Sequence, residues 1–166
     1  MDVTSDRFCF HCHKEIKNPT DARLCSNKDC IRTYHSNCAT KVSDSLGPSF
    51  VCSFCEDIDK YMDPGCVDPE MWLLRKLDRT ELNSLLAIAL KSLKVGMADF
   101  YSAVDPRLYP DYYDLVVKPM TLAAIEHKIL NEEYSILPQF ISDISWIHHN
   151  CLLYNGPGNC PYMFRH

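Results

Sequence analysis

Four pairs of metal-binding residue types open the chain: Cys9-Phe-His-Cys12, Cys25-Ser-Asn-Lys-Asp-Cys30, His35-Ser-Asn-Cys38 and Cys52-Ser-Phe-Cys55. Thiolate and imidazole are ligands of Zn²⁺, and these eight fill two tetrahedral sites. Four protein ligands per ion leave no open coordination position, so the chemistry is structural rather than hydrolytic. Paired disulfides are the alternative. The start Met1-Asp-Val-Thr-Ser-Asp6 is polar and lacks the apolar core of a secretory signal, which argues for reduced, metal-binding cysteines.

A segment from Arg7 to Asp57 buries too little apolar surface to fold on that basis alone. Metal binding supplies the missing free energy, because the sites do not exist in the unfolded chain. The stretch His13 to Leu24 has to cross between ligand groups. Asn18-Pro19 marks a turn in it, and Ala22-Arg23-Leu24 then enters the third ligand as a short strand.

This ligand order and spacing resemble a plant homeodomain (PHD) finger. The resemblance implies a cross-brace: Cys9, Cys12, His35 and Cys38 on one ion, Cys25, Cys30, Cys52 and Cys55 on the other. Tyr34 and Phe50 stand where the family keeps aromatic packing residues, with Phe50 in place of the usual Trp. RING-type fingers are the nearest alternative. Their common form places the His one ligand earlier, and the variant with this order has a longer gap before the His than Cys30 to His35. In PHD fingers, strand Ala22–Leu24 is the edge to which a histone H3 tail adds, so Asp21, Ala22, Arg23 and Leu24 are the implied histone-strand residues. The aromatic cage that reads methylated lysine looks absent, because Thr33 stands at the cage Trp position and Ala22 at another. The resemblance therefore implies an unmodified or weakly methylated first lysine. Asp21 is a candidate partner for its ammonium; the plainer reading of Asp21 is a solvated turn residue.

Residues 58–78 read as a polar linker broken at Pro64-Gly65, with a short helix start at Asp68-Pro69 and with Trp72 in a packing role. Helical spacing begins at Asp78: Leu82, Leu85, Leu86, Ala89 and Leu93 fall on one face, and Gly96 ends the helix. A long segment rich in aromatics and prolines runs to Met120, and loops of that length in compact domains are usually functional. A second helix starts at Thr121 with Leu122, Ile125 and Ile129. A third covers Ile136 to Tyr154, with Ser135 as N-cap and a stripe of Phe140, Ile144, Ile147 and Cys151.

Residues 79–166 resemble a bromodomain. The matching residues are Phe100 with Val104-Asp105, Pro110-Asp111-Tyr112-Tyr113, Lys118-Pro119-Met120, and Trp146 through Tyr154-Asn155. The segment Trp146 to Gly156 is most similar to the PHD–bromodomain–PWWP readers that also carry a MYND-type zinc finger. The implied fold is an all-α, left-handed helical bundle beside the irregular finger and its short β hairpin. Pro157 and Pro161 break the remaining residues, so most of the family's fourth helix is expected to be lacking. The implied site binds acetyl-lysine. Asn155 donates to the acetyl oxygen, Tyr112 reaches it through water, and Phe100, Val104, Tyr109, Cys151 and Tyr154 line the slot. The plainer readings are a left-handed helix C-cap for Asn155 and core packing for Tyr112. His148 and His149 have no nucleophile or carboxylate spaced to serve them, so no catalytic role is assigned.

The net charge of −5 over 166 residues comes without a Lys/Arg cluster, which argues against direct DNA binding. No apolar run approaches a membrane-spanning length. Cys66, Cys151 and Cys160 lie outside the finger and are expected as reduced thiols. The combined expectation is a non-enzymatic nuclear chromatin regulator holding two structural Zn²⁺. Its expected partners are the H3 tail, acetylated histone peptides and transcriptional corepressor proteins. A corepressor scaffold with a non-binding bromodomain, and a zinc-finger ubiquitin or SUMO ligase, are the alternatives.

Overall fold

The computed structural model describes residues 6–43, 47, 49–65, 76–156 and 159–160. The chain divides into two units, Met1–Asp57 and Ile58–His166. The expectations for Cys66, for the helix start at Asp68-Pro69, for Trp72 and for Pro157 and Pro161 lie outside the described residues.

In the first unit the turn at Asn18-Pro19 forms as expected. Asn18 Oδ1 accepts from the Thr20 N–H at 3.1 Å and opens a 3₁₀ turn over Pro19–Asp21. Strand β1 (Ala22–Leu24) follows and pairs antiparallel with β2 (Thr33–His35), in the register Ala22–His35, Arg23–Tyr34 and Leu24–Thr33. A bridge from Cys9 to Thr33 lies on the other side of β2, which makes β1 the edge of the two-stranded sheet. Helix α1 (Ser36–Val42) starts directly after β2 and carries Cys38. Helix α2 (Ser53–Met62) carries Cys55 and runs past the domain boundary expected at residue 57.

Aromatic rings replace a conventional core here. Tyr34 packs edge-to-face on Phe50 at 5.4 Å, and Phe10 on Phe54 at 5.6 Å. The Arg32 guanidinium lies over Phe10 and Phe54, 4.5 and 4.4 Å from their centroids. Phe50 is buried, so the smaller ring fills the position where the resemblance expects Trp.

The second unit is helical. Its α3 (Arg79–Gly96) opens with a reciprocal capping box: Asp78 Oδ1 accepts from the Glu81 N–H, and Glu81 accepts from the Asp78 N–H. Then come a 3₁₀ turn (Ala98–Phe100), short helix α4 (Tyr112–Leu115), α5 (Leu122–Leu130) capped by Thr121, and α6 (Leu137–Asn155). The segment expected as a long loop thus contains two short helical turns. The core is formed by Leu82, Leu86, Leu90, Met97, Leu122, Ile125, Ile129, Tyr134, Phe140 and Ile147.

Two sequence expectations are corrected. The buried row of α3 is Leu82–Leu86–Leu90, at strict i, i+4 spacing, and Leu85 and Ala89 face solvent. Ser135 is not the N-cap of α6. Ile136 holds that position without a side-chain bond, and Gln139 Oε1 reaches back to accept from the Ser135 N–H at 3.0 Å.

Candidate functional site

Two clusters of metal-ligand types occur among the described residues: Cys9, Cys12, His35 and Cys38, and Cys25, Cys30, Cys52 and Cys55. Within each, the ligand atoms lie within 4.8 Å of one another. A tetrahedron with Zn–S bonds of about 2.3 Å puts its sulfurs about 3.8 Å apart. Cys30 and Cys52 Sγ are 3.8 Å apart, and Cys12 Sγ is 3.4 Å from His35 Nδ1. The donor set and spacing fit Zn²⁺, and either cluster could hold one.

Backbone donors already point at the sulfurs. His35 N–H reaches Cys9 Sγ and Cys52 N–H reaches Cys25 Sγ, both at 3.4 Å. Such donors favour thiolate and orient the ligands. The second quartet cannot hold four thiolates without a cation. Hydrogen bonding from Cys25 holds the Cys30 thiol low, while bonding to Cys25 pushes the Cys52 and Cys55 thiols up. Burial pushes Cys38 up to about 12. A divalent ion removes that conflict.

Around the hairpin, Ala22 is half-buried and Arg23 and Leu24 are exposed on the edge strand. Asp21 is more than a solvated turn residue: its Oδ1 accepts from the Ser36 N–H at 3.1 Å and ties the turn to the start of α1. Thr33 is buried.

The helical unit contains a cavity of about 370 Å³. All seven residues expected from the sequence line it: Phe100, Val104, Tyr109, Tyr112, Cys151, Tyr154 and Asn155. Helix α6 contributes Ile147, Asn150, Cys151, Tyr154 and Asn155, and the segment between α3 and α5 contributes the opposite wall. Tyr154 holds these walls together. Its hydroxyl donates to Asp111 Oδ1 at 2.8 Å, and its ring packs on Tyr109 and Tyr112 at 6.0 and 5.2 Å.

Asn155 is not a left-handed cap. It is the last residue of α6, and the positive φ of 78° falls on Gly156. Among the described residues its amide makes only a long contact, 3.6 Å to Cys151 Sγ. Tyr112 is buried, which pushes its phenol up to about 12. Its hydroxyl makes no hydrogen bond among the described residues. His149 is buried edge-to-face against Trp146 at 5.6 Å and packs rather than reacts.

Sequence reading missed Asn150, whose Nδ2 donates to the Lys118 carbonyl at 2.8 Å and fixes the loop leading to Met120. An amide inside the apolar stripe of α6 was the available signal. It also missed Asn159 in the wall. Cys151 and Cys160, expected as separate thiols, are joined in a disulfide. The turn at Gly156 brings Cys160 back onto α6, a return that spacing alone does not reveal.

The family model described as Bromodomain matches residues 86–165, so the helical unit carries a bromodomain. The SWR1 complex bromodomain subunit bdf1 of Schizosaccharomyces pombe is 46% identical over 61 residues, covering 36% of this chain and 11% of that protein. Nucleosome-remodeling factor subunit NURF301 of Drosophila melanogaster is 29% identical over 137 residues, covering 80% of this chain and 5% of the relative. The MYND-type zinc finger-containing chromatin reader Zmynd8 of the same fly is 24% identical over 149 residues, covering 89% of the chain and 8% of the relative. The last two similarities extend beyond the helical unit into the cysteine-rich one. The chain spans only a small fraction of the length of these relatives.

Proposed function

We propose that this chain is a non-enzymatic, nuclear histone-tail reader with two sites. The helical unit takes an acetylated lysine in the cavity beside Asn155. The first unit is a PHD finger, with two Zn²⁺ in a cross-brace, and its β1 edge pairs with the N-terminus of histone H3.

The observation that carries the reading is how polar groups are used around the cavity. Acetylation makes a lysine neutral, so its site needs an apolar slot with one or two available donors. Asn150 is engaged by Lys118, and Tyr154 by Asp111. The Asn155 amide, which is exposed and only weakly engaged, and the Tyr112 hydroxyl remain for a ligand. Phe100, Val104, Met120 and Ile147 supply the apolar lining. Asn155 would bond the acetyl oxygen directly, and Tyr112 through a bridging water. The names of the relatives, subunits of chromatin complexes and a chromatin reader, accord with this. On the finger, the exposed edge at Arg23 and Leu24 suits strand addition.

The test is a titration of H3 peptides, with and without acetyl groups, against wild type and Asn155→Ala. Wild type should prefer the acetylated peptide, and Asn155→Ala should lose the preference while keeping affinity for the unmodified N-terminus. Equal affinities in all four combinations would remove the acetyl-reading claim.

A further inference from the structure

Cys151 lines the cavity and is bonded to Cys160, and neither belongs to the metal-ligand quartets. We propose that this pair is a redox modification site, closed by a small-molecule disulfide of the glutathione type, and that the closed form is the tighter acetyl-lysine binder. The inference rests on the cavity reading above.

The covalent loop encloses the residue that would donate to the ligand. Asn155 lies between the two cysteines, and its Nδ2 contacts Cys151 Sγ. Gly156 turns the chain back at φ 78°. Asn159 Nδ2 then donates to the Asn155 carbonyl at 2.9 Å, and the Asn159 N–H donates to the Gly156 carbonyl at 3.2 Å. These bonds place Asn159 in the cavity wall. With the cross-link closed the cavity is open and Asn155 is exposed, so the bond does not plug the site. Its effect is to restrict the chain around Asn155 and Asn159. Ordering that binding would otherwise have to impose is then already in place.

The exchange is balanced. A Cys160 thiolate attacks the small disulfide, breaking its S–S bond and expelling one small thiolate. The Cys151 thiolate then attacks the sulfur of Cys160 in this mixed disulfide and expels the second. The protein pair gives up two electrons to the small disulfide and two protons to solvent, and the two small thiolates take up two protons from solvent to leave as thiols. Once closed, the bond is shielded, with Cys151 3% and Cys160 1% exposed.

The experiment uses the full chain, with Zn²⁺ in the buffer, equilibrated across ratios of oxidised to reduced glutathione. The linked Cys151–Cys160 peptide is read by mass spectrometry, and calorimetry reads the affinity for an acetylated H3 tail peptide. The expected result is a linked peptide under oxidising conditions, with Kd about three- to tenfold lower than under reducing conditions. Cys160→Ser should show the weaker Kd in both buffers. Two results would overturn the proposal and leave the cavity reading standing: equal Kd in both buffers although the bridge has formed, or no linked peptide at any ratio while the acetylated peptide still binds. Failure of wild type to distinguish acetylated from unmodified peptide in either buffer would overturn the cavity reading, and this proposal with it.

Discussion

Replacing Asn150 with Ala tests whether the cavity depends on its tie to the Lys118 loop. Asn150 is 3% exposed, and its amide donates to the Lys118 carbonyl at 2.8 Å. The substitution deletes that bond and leaves a partly shielded carbonyl without its donor, a loss in the range of about 1–3 kcal/mol. The void left in packed surroundings adds roughly 1 kcal/mol, so the total is about 2–4 kcal/mol. For a helical unit of this size that lowers the melting temperature by roughly 8–30 °C. The assay is a thermal melt of the full chain followed at the helical transition, with Ser84→Ala on the exposed face of α3 as the control. Met120 lies two residues beyond Lys118 and lines the cavity, so affinity for an acetylated peptide should fall as well. Asn150→Asp should be at least as damaging, because a carboxylate would face the carbonyl with no proton to offer. A melt of Asn150→Ala within about 2 °C of wild type would refute the argument that this bond holds the loop.

Chelation of Zn²⁺ should unfold the first unit while the helical unit keeps its melt. A structural zinc contributes about 10–16 kcal/mol, as much as a whole domain's stability; circular dichroism with metal analysis should find two ions per chain, and retention of the β1–β2 hairpin without metal would contradict this. Burial raises the Tyr112 phenol to about 12, so its contribution is complete below the ordinary value near 10 and is lost as pH rises from about 10 to about 12. Alkaline melts should therefore fall more steeply for wild type than for Tyr112→Phe, and equal slopes would refute the burial argument. Gly156→Ala meets no atom within 4 Å but forces a side chain onto φ 78°, so it should cost about 1–2 kcal/mol through backbone strain alone. An unchanged melt would show that the turn relaxes.

The metal-ligand clusters were legible because ligand type and short local spacing carry most of the information. In each quartet two residues come from one close pair and two from another, and only the choice of which pairs combine depends on the fold. The α3 stripe was less legible. Leu82, Leu85, Leu86, Ala89 and Leu93 fit a broad apolar face, yet the core takes the narrower row through Leu90. Helical period selects an arc, and the packed partner decides which part of it is buried. The start of α6 was misplaced by a similar ambiguity. Ser135 has the right side chain for a cap, but Gln139 reaches back to its N–H, and the helix begins after Ile136. Local propensity does not separate a Ser that caps a helix from one whose own N–H is capped by a Gln four residues on.

Asn155 shows where sequence reasoning divides most sharply between a bland role and a functional one. An Asn before Gly at a helix end fits a left-handed cap, and that role would commit its side chain to local backbone. The structure assigns the reversal to Gly156, which adopts positive φ without a Cβ penalty. Asn155 therefore keeps helical geometry at the cavity wall with its amide nearly unengaged. The amide is exposed and solvated, so a ligand that binds it replaces water and breaks no strong protein hydrogen bond. The same glycine turn that relieves Asn155 of the capping role also carries the chain back to Cys160. One local feature thus presents the donor and sets up the cross-link around it, so Gly156→Ala should weaken acetyl-peptide binding and slow bridge formation together. Loss of only one of the two would separate the turn from whichever function survived.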